Sequence, residues 1–151
     1  MTVRAYLFTK ALMSGIMNYL KHLIRHYPVS SIYILFIWVL SLMPIFPHTG
    51  LEDVPFIDKW THFVMYGGTC LTIWIEYMRR HESPNFNKLF LLAFIAPIIM
   101  SGILELLQAY CTGGRRSGEW LDFAANSTGV ALAAIVGVVL LIIKKRRRRS
   151  Q

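Results

Sequence analysis

Four long apolar segments, separated by short polar stretches, dominate the pattern along the chain. They cover residues 29–46, 60–77, 89–110 and 121–143. A bilayer core about 30 Å thick is crossed by about 20 mainly apolar residues in an α-helix, so each segment is roughly long enough to cross it. The first segment lies in a stretch without Asp, Glu, Lys or Arg, between Arg25 and Glu52. The last lies in a similar stretch between Asp122 and Lys144. The pattern predicts an all-α membrane protein with four transmembrane helices in a small bundle.

The second and third segments contain acidic residues, Glu76 and Glu105, within their apolar runs. Such groups are costly at membrane depth unless they are paired or wetted. We expect Glu76 to pair with Arg79 or Arg80, three or four residues further along its helix. Pro97 lies in the third segment, and because proline lacks a backbone N–H and crowds the preceding turn, it predicts a kink.

The two ends of the chain differ from this central region, residues 28–143. In residues 1–27 apolar side chains recur at helical spacing between basic ones, which predicts an amphipathic helix on the membrane surface. Residues 144–151 hold the run Lys-Lys-Arg-Arg-Arg-Arg. Such a run directly after an apolar segment is typical of a helix that ends in the cytoplasm. The predicted organisation is therefore a surface helix, a four-helix domain and a cytoplasmic polybasic tail.

Composition and charge agree with a membrane protein. Of the 151 residues, 55% are hydrophobic and 16% are charged, against about 25% charged in soluble domains. The formal charge is +8, but the terminal run contributes six of the basic residues, so we expect membrane lipids with anionic head groups as partners and no nucleic acid. Cys70 and Cys111 form no disulfide framework and no metal-binding spacing.

The distribution of Lys and Arg predicts the topology. Thirteen of the sixteen lie in the N-terminal segment, the 78–88 loop and the tail, and three lie in the other two loops. Basic residues collect on the cytoplasmic side. We therefore expect a multi-pass protein of the cytoplasmic (inner) membrane with both termini in the cytoplasm.

Polar residues occur near the outer end of three of the predicted helices. The second carries Asp58, Lys59, His62 and Tyr66, the third Glu105 and Gln108, and the fourth Asp122 and Asn126. Most are spaced three or four residues apart, which places them on one face of each helix. At 1.5 Å per residue, His62, Glu105 and Asn126 lie roughly 6–8 Å inside the outer helix ends. With Arg116 from the adjoining loop, these nine residues are the predicted polar cluster. Glycines such as Gly129 are expected to let helices pack closely.

The chemistry of this cluster leaves several interpretations open. Two helix N-termini together with Lys59, Arg115 and Arg116 would attract an anionic group. The same residues would equally serve as an ion-pair network that locks the helices together. Hard oxygen ligands with His62 would suit a metal, but no ligand geometry is fixed, so we expect no metal and no cofactor.

These residues resemble the pattern of the VanZ-like family of membrane proteins. They match as Asp58-Lys59-x-x-His62, then Glu105-x-x-Gln108, then Arg116 before Asp122-x-x-x-Asn126-x-x-Gly129. The match extends over about residues 29–143. Two positions depart from the family pattern. Glu119 occupies the place of a small or hydroxyl residue, which argues against a hydroxyl acting there, and Ala133 occupies a later small position.

The resemblance implies a cell-envelope setting, since the founding member is associated with low-level resistance to the glycopeptide teicoplanin. The first hypothesis is a protein that binds an anionic amphiphile in the outer leaflet: a lipid, a lipid-linked precursor or a lipoglycopeptide. The second is an intramembrane lipid-modifying enzyme with His62 or Glu105 as base and Arg116 or Lys59 as anion stabiliser. The third is a small transporter or structural subunit, for which a homodimer would supply more helices.

Overall fold

The computed structural model describes residues 3–43, 50, 54–113 and 118–150, and all regular secondary structure in these ranges is helical. The helices are α1 (Val3–His26), α2 (Pro28–Leu42), α3 (Ile57–Arg80), α4 (Phe86–Phe90), α5 (Ala96–Cys111) and α6 (Trp120–Arg149), with a π-helical turn at Leu91–Ile95 between α4 and α5. All four predicted segments are helical where they are described, except that the first helix ends at Leu42 and Met43 is extended. The all-α prediction is confirmed.

Two or three helices can cross a membrane, judged by length and composition. Phe86–Cys111 and Trp120–Arg149 meet this standard singly, and α1 and α2 meet it only as a pair bent by 113°. The 15-residue α2 is about 22 Å long at 1.5 Å per residue, which is short for a bilayer core. Charged residues in its first and last turns make α3 less apolar. The structure supports association with a membrane, but it does not confirm the predicted number of four transmembrane helices.

Helix α1 confirms the helical part of the N-terminal prediction. It covers 24 residues, and its described side chains are exposed apart from the half-buried Leu23. Its apolar side chains, among them Leu12 and Ile16, are 54% and 52% exposed. The sharp bend at Tyr27 directs α1 away from the axis of α2. Its predicted position on a membrane surface stays a prediction.

Pro97 is accommodated by a change of helix type. The turn Leu91–Ile95 immediately before α5 is π-helical, and Pro97 is in the first turn of α5. The proline ring clashes with the carbonyl four residues earlier and supplies no N–H to it. A wider π turn is one way in which a helix absorbs such a break.

Helices α3 and α6 run parallel and form the tightest contact of the bundle. A Cβ added to Gly129 would lie 2.2 Å from the Phe63 carbonyl oxygen, and one added to Gly67 would lie 3.1 Å from the Gly129 carbonyl oxygen. Further along, the Trp74 ring covers Gly137, where an added Cβ would lie 2.3 Å from it. Small residues thus let the two backbones touch, as predicted for Gly129.

The end of the bundle where α3 and α6 begin is called the cluster end, and the opposite end is called the basic end. At the basic end α6 stays helical through Arg149, so the predicted boundary at residue 143 falls inside a helix. The Lys144 ammonium donates to the carbonyl oxygens of Met78 and His81. Arg148 donates to the Glu82 carbonyl oxygen at 2.8 Å. Part of the polybasic segment therefore caps α3 and holds the turn that follows it.

The predicted pairing of Glu76 with Arg79 or Arg80 is wrong. The Glu76 carboxylate instead accepts from the backbone N–H of Val29 at 3.2 Å and from that of Ser30 at 2.9 Å, as well as from the Ser30 hydroxyl at 2.7 Å. These N–H groups belong to the first turn of α2, where no preceding carbonyl can accept them. A carboxylate from a neighbouring helix therefore caps α2 and favours its positive end.

Candidate functional site

The first turn of α3 and the start of α6 meet through Lys59. Its ammonium lies 2.5 Å from an Asp58 carboxylate oxygen, 2.7 Å from Glu119 and 2.8 Å from Asp122. Burial alone would lower the pKa of Lys59, but the hydrogen bonds to Asp122, Asp58 and Glu119 outweigh it and raise the pKa. Burial likewise would raise the pKa of Asp58, yet the bonds with Lys59 hold it below its usual value. Lys59 is a firmly charged link between two helices.

His62, one turn deeper on α3, contacts two residues of α6. Its Nδ1 lies 3.1 Å from the Asn126 amide oxygen, and its Nε2 lies 3.7 Å from an Asp122 carboxylate oxygen. The Asn126 amide nitrogen donates elsewhere, so its oxygen accepts, and Nδ1 must carry the proton. This fixes the orientation of the ring, with Nε2 directed at Asp122. The 3.7 Å gap is longer than a hydrogen bond.

Glu105 and Ser101 connect α5 to the same region. The Asn126 amide nitrogen donates to the Ser101 hydroxyl at 2.8 Å and lies 3.5 Å from Glu105. The other oxygen of Glu105 accepts the backbone N–H of Glu119, just before α6, at 3.1 Å. Tyr66 is buried and lies on the same face of α3 as His62, one turn further along. Side chains of three helices thus form one network, as the sequence predicted.

Of the nine predicted residues, one bonds outside this network, one lies at its edge, and one falls outside the described residues. Gln108 is buried, and its amide donates to the Ser41 carbonyl oxygen near the end of α2 at 2.9 Å, so it ties α5 to α2. Arg116, with its neighbour Arg115, lies outside the described residues. Asp58 meets Lys59, but its side chain is 56% exposed.

Ser101 and Glu119 were not among the predicted site residues. Ser101 is fully buried and precedes Glu105 by one helical turn, so the same spacing rule that found Glu105 identifies its face. Glu119 was noted only as a departure from a family pattern. Its role as an ion partner of Lys59 depends on a contact across 60 positions of sequence, which periodicity does not reveal.

A metal at this site was not expected, but the donor atoms do lie close together. One atom each from His62, Glu105 and Asp122 lies within 4.8 Å of the others, and the same holds for Asp58, Glu119 and Asp122. Asp122, however, is already paired with Lys59, and Glu105 accepts a backbone N–H. A cation would therefore have to displace existing partners. The arrangement is explained by hydrogen bonds and ion pairs within the protein.

The described part of the site is rich in acceptors. Three carboxylates, those of Asp58, Glu119 and Asp122, surround the ammonium of Lys59. A fourth, that of Glu105, accepts the backbone N–H of Glu119. The sequence predicted that Lys59 would attract an anion, but in the structure this lysine has three carboxylate partners. Attraction of an anion to this end would therefore fall to the arginines of the 112–120 loop. The described residues are better suited to bind hydroxyl, amino or amide donors.

Three exposed aromatic residues lie at the cluster end of their helices. Trp60 is 60%, Tyr110 82% and Trp120 86% exposed, and each lies within the first or last turns of its helix. Tryptophan and tyrosine collect at the boundary between lipid and water in membrane proteins. These aromatic residues are what would be expected if the cluster end lies at a membrane interface.

Comparison with known proteins adds no further information. No protein-family model, curated protein or solved structure matches this chain. The similarity to the VanZ-like pattern consequently rests on the residues quoted above.

Proposed function

We propose that this chain is a VanZ-like protein of the cytoplasmic membrane that binds the head group of an amphiphile at its cluster end. In this proposal four helices cross the bilayer, both termini are cytoplasmic and the cluster end faces outward. The excess of Lys and Arg at the other end supports the orientation. Helices α2 and α3 are then stabilised in the membrane by their contacts with α5 and α6.

The observation that carries this proposal is the hydrogen-bonded network of Lys59, His62, Glu105, Asp122 and Asn126. It draws on three helices and lies at one end of a bundle whose outer faces are apolar. Buried ionisable groups in membrane helices are by default indicators of function. A ligand with a polar head and an apolar chain would meet both surfaces at once.

The composition of the network defines the class of head group. Four carboxylates and an amide oxygen favour a ligand with several hydroxyl or amino groups. The arginines of the 112–120 loop would bind an accompanying phosphate or carboxylate. A sugar attached to a polyprenyl diphosphate and an acylated glycopeptide such as teicoplanin both combine these groups with an apolar chain.

Binding to the purified full-length protein in detergent tests the proposal. We expect teicoplanin to bind more tightly than its deacylated form, because only the intact molecule contacts the apolar helix faces. Arg116→Ala and Asp122→Asn should each weaken binding, whereas Glu82→Gln, an exposed change at the basic end, should not. Equal affinity of wild type and Arg116→Ala for both teicoplanin and a polyprenyl-diphosphate-linked sugar would contradict the proposal.

A lipid-modifying enzyme is the second candidate, and the orientation of His62 favours it. With Nδ1 donating to Asn126, Nε2 is the unprotonated nitrogen of a neutral imidazole and would be the atom that acts as the base. Prolonged incubation of the protein with envelope lipids, followed by mass spectrometry of the lipids, tests this. A product that disappears in His62→Ala supports it, and unchanged lipids with a correctly folded protein exclude it.

A further inference from the structure

The basic end of the bundle contains a groove with a composition unlike that of the cluster end. It has a volume of about 640 Å³ and lies between the last turn of α3 and the final turns of α6. Arg79 and Arg80 line it from α3, and Arg147 lines it from α6. Leu140 and Ile143 supply an apolar wall, 36% and 42% exposed. The groove thus combines cationic and apolar surfaces.

The basic residues of this groove have two different roles. Lys144 and Arg148 donate to the carbonyl oxygens after α3, and this fixes the two helix ends relative to one another. Within the described residues, the guanidinium groups of Arg79, Arg80 and Arg147 make no ion pair or hydrogen bond, unlike that of Arg148. Glu82 is the single acidic residue lining the groove, and it faces Arg148 at 3.4 Å. Three arginines therefore remain to bind an external anion.

We propose that this groove binds an anionic phospholipid of the leaflet at the basic end. Guanidinium groups from two helices would bind the phosphate in a forked geometry. The lipid chains would lie along Leu140 and Ile143. Basic pockets between membrane helices are suited to anionic lipid head groups, and the arginine excess indicates the cytoplasmic leaflet. This site is at the opposite end from the polar cluster and does not depend on the function proposed there.

The proposal differs from general attraction to a polybasic tail, because it assigns binding to particular basic residues. On α6, Arg147 lines the groove whereas its neighbour Arg146 does not. Lys145 and Arg149 also lie outside it and line a smaller cleft of about 370 Å³. Two triple variants therefore remove equal charge from different surfaces: Arg79→Gln/Arg80→Gln/Arg147→Gln and Lys145→Gln/Arg146→Gln/Arg149→Gln.

The test is native mass spectrometry of the full chain in dodecylmaltoside with phosphatidylglycerol and phosphatidylcholine. We expect wild type to retain phosphatidylglycerol in preference to phosphatidylcholine. Since each basic residue near a lipid surface is worth roughly fivefold in affinity, the groove triple variant should lose at least about tenfold. The affinity of the control triple variant should stay within about twofold of wild type. Of the single variants, Arg147→Gln should lose more affinity than Arg146→Gln.

Three results would overturn the proposal. Equal losses in the two triple variants, or in the two single variants, would indicate general electrostatic attraction. Equal retention of the two lipids by wild type would exclude an anionic head group. Complete displacement of the lipid by inorganic phosphate would show that the apolar wall adds nothing. Thermal unfolding of each variant is measured alongside, and the single variants serve if a triple variant does not fold.

Discussion

Replacement of Gly129 by alanine should separate the two helices that carry most of the site. The added Cβ would lie 2.2 Å from the Phe63 carbonyl oxygen, and a backbone oxygen cannot rotate away as a side chain can. Overpacking of this kind costs about 1–3 kcal/mol. At about 2–4 °C per kcal/mol for a chain of this size, the thermal midpoint should fall by roughly 2–12 °C.

Gly102→Ala is the matched control, because Gly102 is also in a helix but has room for a side chain. The nearest atom to its added Cβ, on the Phe123 ring, is 3.5 Å away, an ordinary contact. Alanine is favoured over glycine in a helix by up to about 1 kcal/mol, so this variant should match or exceed wild type. Both are measured by thermal unfolding in the same detergent. A Gly129→Ala midpoint equal to that of Gly102→Ala would refute the tight crossing.

Four further predictions concern the charged residues. Lys59→Gln leaves Asp122, which is 10% exposed, without its cation. The free energy of unfolding should fall by about 3 kcal/mol, seen as a thermal midpoint lower by about 6–12 °C. An unchanged midpoint would contradict the ion pair. Because the pKa of Asp58 is lowered, its stabilisation is present above about pH 4 and is lost as the pH falls further. Asp58→Asn should therefore reduce the acid-induced drop in midpoint, and an identical drop would count against the link to Lys59. Since the pKa of Lys59 is raised, its contribution is complete below about pH 10, and the midpoint should not fall between pH 7 and 9 on its account. Glu76→Gln removes a charged cap and should cost about 1–2 kcal/mol, whereas Glu82→Gln, 92% exposed, should change little; equal midpoints would exclude the capping role.

Helical periodicity was sufficient to predict most of the polar network. His62 and Asn126 were placed at the same depth by counting residues from the predicted helix ends, and the structure joins them at 3.1 Å. The close approach at Gly129 was predicted from the absence of a side chain. These features depend on the spacing of residues within one helix and on their distance from the helix ends. Both can be counted in a sequence.

Other contacts depend on how helices are arranged around one another. Glu76 was assigned to arginines on its own helix, but α2 lies alongside and offers backbone N–H groups that the carboxylate caps. Gln108 was grouped with the cluster by its spacing from Glu105, yet its side chain faces α2. The number of ion partners of Lys59 could not be predicted from the sequence either, because it depends on how α6 is rotated about its axis relative to α3.

The central claim is that the polar cluster faces outward and the basic groove faces the cytoplasm. The test labels cysteines in intact cells with a membrane-impermeant maleimide. In wild type, Cys111 is exposed at the end of α5 and reports the cluster end. In a Cys111→Ser/Ser150→Cys variant, the new cysteine reports the basic end. Cys70 is buried and should stay unlabelled in both. We predict that Cys111 is labelled directly and that residue 150 is labelled only after the membrane is permeabilised. Labelling of both from outside, or of residue 150 alone, would contradict the account.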